Sequence, residues 1–494
     1  MDSIPDLTDQ MWDALMQTTI TGKEYLRKGQ PDTGKWGEAK ALRDRIKKPV
    51  PLKLSLSDSP TIIDKVVTTQ TTVPVGGGGV VLPNPGSFYA LKYSNDTWPV
   101  SEFVHYPKAV IDAATYPSLT TIRNANPNIK LYTYCQFMFC RNPQLAGVPA
   151  GIGNASFVTF DAALAHDNAN PGDLWLIRDS AGNPKLRSTT GYLLNLASAS
   201  LRTQAKTNLM AIINAYAVDG FFFDDVNGQI SDLITLPPGY TNATWTDLMI
   251  DWMDDVQDFL RSQGVYCLMN AGMSANPNVP ENPAGDSAYW PRVAPHADGI
   301  MVEYAYSIQG LPTPNPPNGE PGGIENPLMN VDPTAWTGHW DSWYKSVKLI
   351  QDLNLDVYTI IYGSQALVNG TVDYDNQKML YGKASYLLIR NNINAGGFAF
   401  IQSPRGGANN ASPFSPLWTT DIGVPEAPTL DPILSPNEGV GYKRYFTKGV
   451  VVVNPHKDTP QLFNLGAPYT SLYDSLPYSQ ITVAPRRARI LTKP

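Results

Sequence analysis

Between Phe88 and Gln402 the chain repeats one pattern eight times: a short apolar run, then a helical stretch or a loop. The runs are Phe88–Tyr93, Ala109–Ala113, Lys130–Gln136, Gly220–Asp224, Val265–Asn270, Gly299–Glu303, Val357–Tyr362 and Gly397–Gln402. Most are continuously apolar rather than alternating, which is the signature of parallel strands covered on both faces. Helical periodicity separates several of them. Leu201, Ala205, Leu209, Ile212, Ile213 and Tyr216 share one face of a helix that Ser200 could cap. A second helix is expected to begin at Thr246, with Leu248, Trp252, Val256 and Phe259 on its apolar stripe. Eight such units predict a mixed α/β fold, a (β/α)8 TIM barrel with long loops. A doubly wound open sheet is the alternative, but no G-x-G-x-x-G turn follows the first run.

The barrel is expected to occupy residues 86–420, with different material on either side. Residues 1–80 are poor in apolar periodicity. They hold two short helical patterns, around Met11–Met16 and Trp36–Ile46, and end at the glycine run Gly76–Gly79. They are expected to form an extended and helical N-terminal arm with a flexible hinge. After Asp421 short strand-like runs return at Lys443–Phe446, Gly449–Asn454, Tyr469–Tyr473, Ser479–Ala484 and Ala488–Leu491. Their spacing predicts a small antiparallel β-sandwich over 428–494.

Composition removes several classes of function. Net charge is −7, only 16% of the 494 residues are charged, and there is no long basic run, which argues against a nucleic-acid partner. No apolar stretch reaches the roughly 20 residues needed to cross a bilayer. The N-terminus lacks a basic region followed by an apolar core, so no secretory signal is expected. Cys135, Cys140 and Cys267 are too few and too odd in number for a disulfide framework; Cys135 and Cys267 lie in apolar runs and read as buried thiols. The five histidines have no metal-ligand spacing, and neither a metal nor a cofactor is expected.

The strongest chemical signal is Asp219-Gly-Phe-Phe-Phe-Asp-Asp-Val226, an apolar strand ending in two acids. The pattern recurs as Asp298-Gly-Ile-Met-Val-Glu303-Tyr304. On a barrel these are strands four and six, and both acids would stand at the mouth. Two carboxylates facing one cavity are the minimum equipment for cleaving a glycosidic bond: one protonates the leaving oxygen, the other attacks the anomeric carbon or activates water. The candidates are Asp224 or Asp225, with a lean to Asp224 as the first residue past the apolar run, and Glu303. The competing reading is that Asp219 and Asp298 shape turns and that one terminal acid caps a helix or forms a salt bridge.

Other strand ends offer amides and rings suited to sugar hydroxyls and C–H faces: Lys92 and Tyr93, Tyr134 and Gln136, Asn270, Tyr304, Tyr362 and Gln402. In the long third loop, Trp175 is either a stacking platform or a ring clamped beneath its own loop, and Asp179 stands nearby.

The run Trp175-Leu-Ile-Arg-Asp-Ser-Ala-Gly-Asn-Pro184, then Tyr192-Leu-Leu-Asn-Leu196, then Asp219 through Val226 resembles the glycoside hydrolase-like barrels of bacteria and phages. The tail, Arg444 to Gly449, Val453-Asn-Pro455, Val483-Ala-Pro485 and Ala488-Arg-Ile-Leu491, resembles the β-sandwich that closes many such enzymes. The resemblance covers about residues 86–494. By analogy with related α-galactosidase-like barrels, it implies Asp224 as nucleophile and Glu303 as acid/base, with a polysaccharide or glycoconjugate as partner. It further implies a phage tail component located in the virion, joined to other tail proteins through the arm, as a homo-oligomer or part of a larger assembly. A cytoplasmic or non-classically exported bacterial hydrolase is the alternative location. A catalytically inactive receptor-binding or structural tail protein is the alternative function.

Overall fold

The structure, a computed structural model, describes residues 90–92, 100–112, 119–187, 191–229, 236–271, 283–302, 306, 311–313, 323–325, 340–362, 372–390, 396–401, 417, 420–426, 435–436, 441–456 and 459–494. These residues lie within one compact unit, Val80–Pro494. The N-terminal arm, its two helices and the glycine hinge lie outside the described residues.

The eight strands are β1 (Ala90–Lys92), β2 (Lys108–Ile111), β3 (Lys130–Gln136), β4 (Gly220–Asp224), β5 (Tyr266–Met269), β6 (Gly299–Val302), β7 (Asp356–Tyr362) and β8 (Gly397–Ile401). They form one parallel sheet in strict chain order from β1 to β8, and the two edge strands approach each other. This is the strand order of a (β/α)8 barrel. The predicted runs coincide with the observed strands to within a few residues at each end.

Each strand divides its side chains between the lumen and the outer layer. Val110, Tyr132, Phe222, Leu268, Met301, Tyr358 and Ile360 form an inner cluster, with Tyr134 and Tyr266 packed on it. Their neighbours in sequence, including Leu131, Cys135, Phe221, Phe223, Cys267, Met269, Ile300 and Val357, join the layer beneath the helices. Glycine makes room in the inner layer. Gly220 pairs with Tyr132 on one side and Tyr266 on the other, and those two rings stack at 4.7 Å with planes 16° apart. A methyl group on Gly220 would lie 2.2 Å from the Tyr266 carbonyl oxygen.

The aspartates before the glycines brace the foot of the barrel. Asp219 accepts from Arg123 (2.8 Å), Lys130 (3.1 Å) and the Leu131 amide (2.9 Å). Burial pushes its pKa up, but those donors outweigh burial and hold it below the ordinary carboxylate value. Asp298 repeats the arrangement, accepting from Arg261 Nε (3.1 Å) and the Cys267 amide (2.8 Å). The recurring Asp-Gly pair is therefore a structural device at the N-terminal ends of β4 and β6.

The main helix α1 (Ala199–Tyr216) starts at Ser198, whose hydroxyl accepts from the Leu201 amide at 3.2 Å. Ser200, the residue expected there, instead accepts from the Trp175 indole. The next helix, α2 (Asn242–Trp252), begins four residues before Thr246, because Thr241 and Thr244 make a reciprocal capping box. It runs through a π-helical turn, Met253–Gln257, into Asp258–Ser262.

The C-terminal region is one six-stranded antiparallel sheet: β9 (Ser435–Pro436), β10 (Tyr442–Phe446), β11 (Gly449–Asn454), β12 (Gln461–Ser471), β13 (Pro477–Val483) and β14 (Arg487–Thr492). It makes a sandwich by folding over itself. The β12–β13 ladder shifts register between Asn464 and Tyr469, and the hairpin crosses β10, with Lys443 Nζ bonded to the Asn464 carbonyl (2.7 Å). Val450, Val452, Phe463, Leu465, Ile481 and Leu491 fill the core between the two halves. The outer face packs on α3 (Val372–Ile389) of the barrel, where Arg444 donates to the Leu387, Leu388 and Arg390 carbonyls at 3.0, 2.7 and 2.8 Å. Leu387 and Leu388 lie in the last turn of that helix, whose carbonyls have no intrahelical partner. All three cysteines are free and buried.

Lys108 enters the foot of the lumen, 8% exposed, and donates to Tyr358 Oη at 2.9 Å. Burial lowers its pKa to about 8, while Asp356 acts in the opposite direction. A lysine whose folded pKa lies below its unfolded value destabilises the fold when protonated, and the penalty fades as pH rises from about 8 towards 10.5. Between pH 8 and 10 the stability of the wild type relative to Lys108→Met should therefore rise, with a slope approaching about 1.4 kcal/mol per pH unit. Urea unfolding of both proteins across that range checks this; a pH-independent difference would refute it.

Candidate active site

The period-two alternation of the strands selects the side chains at the mouth. On β3 the lumen positions are Tyr132, Tyr134 and Gln136; on β4 they are Gly220, Phe222 and Asp224; on β5 they are Tyr266, Leu268 and then Asn270 just past the strand end. Phe222 and Leu268 make an apolar floor, with the Tyr134 ring tilted on Phe222 at 5.8 Å. Above it, Gln136, Asp224 and Asn270 form a polar layer.

Asp224 is the hub of that layer. Its Oδ2 accepts from Tyr134 Oη at 2.6 Å and sits 3.4 Å from Gln136 Nε2. Its Oδ1 accepts from Asn270 Nδ2 at 2.8 Å and from the Asp225 amide at 2.9 Å. Gln136 Nε2 also donates to Tyr134 Oη, so the amide, the phenol and the carboxylate form a chain. Burial first, and then the negative charges of Asp224 and Asp225, push the Tyr134 hydroxyl well above its ordinary pKa. It stays protonated and keeps donating. Donors arranged this way hold the carboxyl group in one orientation while its side chain remains partly exposed to the mouth.

Asp225 takes a different path. Its φ of 59° is left-handed, which Asp tolerates better than most residues, and this turns the chain out of the strand. The residue is 8% exposed, and its carboxylate pairs with Arg187 at 2.5 Å. The Arg187 guanidinium in turn lies 4.6 Å from the centroid of the Phe139 ring. Arg187 comes from the far side of the third loop, a small hairpin held by bridges between Leu176 and Leu194, Arg178 and Pro184, and Leu186 and Tyr192.

The structure thus brings together Tyr134, Gln136, Asp224 and Asn270 from the expected set, with Asp225 alongside. Trp175 and Asp179 serve the loop itself. The Trp175 ring stacks on His166 at 3.9 Å and its indole N–H donates to Ser200 Oγ at 2.7 Å. The ring is clamped, as one of the two readings held. Asp179 accepts from the Ala181 and Asn183 amides, both at 2.9 Å, and closes a turn. Tyr93, Glu303, Tyr304 and Gln402 lie outside the described residues; Lys92 and Tyr362 are described as strand positions, not as side chains.

Arg187 was missed by sequence reasoning. It sits 38 positions before its partner in a loop without periodicity, and the only signal was that a buried acid needs a donor from somewhere. Among the described residues, Asp254, Asp258 and His296 place three potential metal ligands within 4.8 Å of one another. They flank the feet of β5 and β6, at the opposite end of the barrel from Asp224, and His296 is bonded to Asp258 at 3.0 Å.

No family model and no curated protein sequence matches the chain. Solved structures similar to it include the glycoside hydrolase domain of PelA from Pseudomonas aeruginosa, at 12% identity and a TM-score of 0.39, covering 67% of this chain and 98% of that one. An α-amylase from Geobacillus thermoleovorans aligns at 8% identity and a TM-score of 0.43, over 83% of this chain and 98% of its own. A sulfoquinovosidase from E. rectale aligns at 10% identity and a TM-score of 0.44, over 83% of this chain and 63% of its own. The barrel assignment stands on the strand order and register. No described helix is long and apolar enough to cross a membrane.

Removing Arg187 takes its positive charge away from the buried Asp225 carboxylate. Arg187→Ala should lower stability by about 3 kcal/mol, and adding Asp225→Asn to that variant should recover a substantial part. Urea unfolding midpoints of the two variants decide the matter, and equal midpoints would show that the ion pair does not govern this turn.

Proposed function

We propose that the protein is a glycoside hydrolase acting on a surface or cell-wall polysaccharide, with Asp224 as the attacking carboxylate and Glu303 as the acid/base. One observation carries the reading. Asp224 is a partly exposed acid on the lumen side of β4, above an apolar floor, oriented by Tyr134, Asn270 and the Asp225 amide. An attacking carboxylate must meet the anomeric carbon from a fixed direction, and such pre-orientation lowers the barrier. Asp225 is tied to Arg187 and is assigned to holding the turn, which supports the choice of Asp224.

Glu303 enters through sequence. Gly299, Met301 and Glu303 repeat the alternation of Gly220, Phe222 and Asp224, and Gly299–Val302 is the second strand along from β4. In the reaction, Glu303 donates its proton to the leaving oxygen as Asp224 bonds to the anomeric carbon; water, deprotonated by Glu303, then releases the sugar and regenerates both groups. The assignment to a phage tail, with the arm as attachment segment, rests on the motif resemblance over residues 175–226. Mass spectrometry of purified particles tests it: the chain is either a virion component or it is not.

A second reading, a barrel that binds glycan without cleaving it, is favoured by one feature: both acids ending β4 are already engaged in hydrogen bonds or an ion pair. Host cell-wall and capsular glycans distinguish the two. The wild type should release oligosaccharides, while Asp224→Asn and Glu303→Gln should each reduce release at least about a thousandfold and keep glycan binding. Binding by all three proteins with no release by the wild type would favour the second reading.

Tyr134→Phe removes the shortest bond to Asp224 without emptying the floor. It should lower kcat about 10- to 100-fold and leave KM nearly unchanged, because the hydroxyl serves the orientation of the carboxylate. A rise in KM alone would place Tyr134 in substrate binding instead.

A further inference from the structure

Three rings connect the C-terminal sheet to the end of β6. Tyr306 stands four residues past Val302, the last residue of that strand, and both are fully buried at 0% exposure. Tyr306 is a bulky residue in the left-handed region, with a φ of 62°. Such a conformation persists only where the surroundings impose it. Here the surroundings are aromatic. The Tyr306 ring lies against Trp340, with 6.1 Å between centroids and planes 41° apart. Trp340 opens the helix Trp340–Asp352 and stacks in turn on Tyr442 of β10, at 5.0 Å and 19°.

The middle ring is itself pinned. Trp340 is 1% exposed, its indole N–H donates to Ser385 Oγ of α3 at 2.9 Å, and the Tyr344 ring stacks on it at 5.5 Å. The helix α3 also takes the Arg444 guanidinium of β10 on its Leu387 and Leu388 carbonyls, so β10 is fixed to the barrel beside the stack. Among the described residues the buried Tyr306 hydroxyl has no hydrogen-bond partner. Its ring contacts, rather than its polar tip, hold it in place.

Glu303 falls between the two anchors, one residue past Val302 and three before Tyr306. Three peptide links reach at most about 11 Å, so the backbone at Glu303 is on a short tether to both. We propose that Tyr306 is a positioning residue for Glu303, and that the C-terminal sheet, acting through Tyr442 and Trp340, braces the segment that carries this acid. The inference rests on the reading of Glu303 as acid/base and goes beyond it by giving the C-terminal sheet a part in the reaction. An acid must deliver its proton to the leaving oxygen along one line, and a misplacement of about 1 Å can cost about a hundredfold in rate.

The test separates the brace from the chemistry. Tyr306→Ala and Tyr442→Ala remove the ring at either end of the stack, while Tyr306→Phe and Tyr442→Phe keep it. Hydrogen–deuterium exchange on the full chain should be about tenfold or more faster over residues 302–306 in both alanine variants. It should be unchanged over residues 220–226, and the phenylalanine variants should match the wild type throughout. On a polysaccharide that the wild type cleaves, each alanine variant should lower kcat about 10- to 100-fold with KM nearly unchanged. In a Glu303→Gln background the same substitutions should change kcat less than about twofold, because they act through that acid. Tyr442 is only partly buried, so Tyr442→Ala carries the test if Tyr306→Ala does not fold. Unchanged exchange over residues 302–306 in the alanine variants would overturn the brace, and an equal loss of kcat in both backgrounds would overturn the positioning role. Ring-dependent exchange in a wild type that cleaves no glycan would leave the brace standing and remove the acid/base it is proposed to serve.

Discussion

Everything at the mouth depends on how the foot of the barrel closes. Tyr132 and Tyr266 stack across β4, and they can meet only because Gly220 between them has no side chain. That contact, worth about 1 kcal/mol beyond the buried area, matters mainly for phase. It fixes Gly220 as a lumen residue, and a period of two then makes Phe222 the floor and Asp224 the first polar group above it. A shift of one residue would turn Asp224 into the helix layer and bring Phe221 and Phe223 into the lumen. Asp219, gripped by Arg123, Lys130 and the Leu131 amide, pins the strand in place.

With the phase set, the site has a simple division of labour. The β-strand ends supply short, stiff donors around one carboxylate: a phenol from β3, an amide from the end of β5, and a backbone N–H from the turn itself. The long third loop supplies a cation to the second carboxylate. Asp225 adopts a left-handed conformation that sends the chain away from the strand axis, and Arg187 neutralises the acid where it becomes buried. The two acids, adjacent in sequence, thereby have different partners.

Much of this was legible in the sequence. The eight apolar runs gave the strands, because parallel strands buried on both faces have little room for polar residues. The lean to Asp224 came from its place as the first residue past the apolar run; the structure adds that it shares the lumen phase of Gly220 and Phe222. What escaped was non-local. Ser198 rather than Ser200 caps α1, since the helix begins at Ala199, and Ser200 instead accepts from the Trp175 indole, a contact between the third loop and a helix start. The Asp-Gly pairs mark the site only indirectly: they build the barrel foot, and the acids follow at the other end of the same strands. Arg187 left no local trace, since its position is set by a loop whose path depends on hairpin bridges and on the Asp167 ion pair with Arg178.

The central claim is that Asp224, and not Asp225, faces the substrate as the reacting carboxylate. A panel of sugar-like epoxides and aziridines, which esterify an attacking carboxylate, tests it most directly when followed by peptide mass mapping. The account predicts a single adduct on Asp224, abolished by Asp224→Asn and retained in Asp225→Asn. An adduct on Asp225, or an unmodified Asp224 in protein that a probe has inactivated, would contradict it.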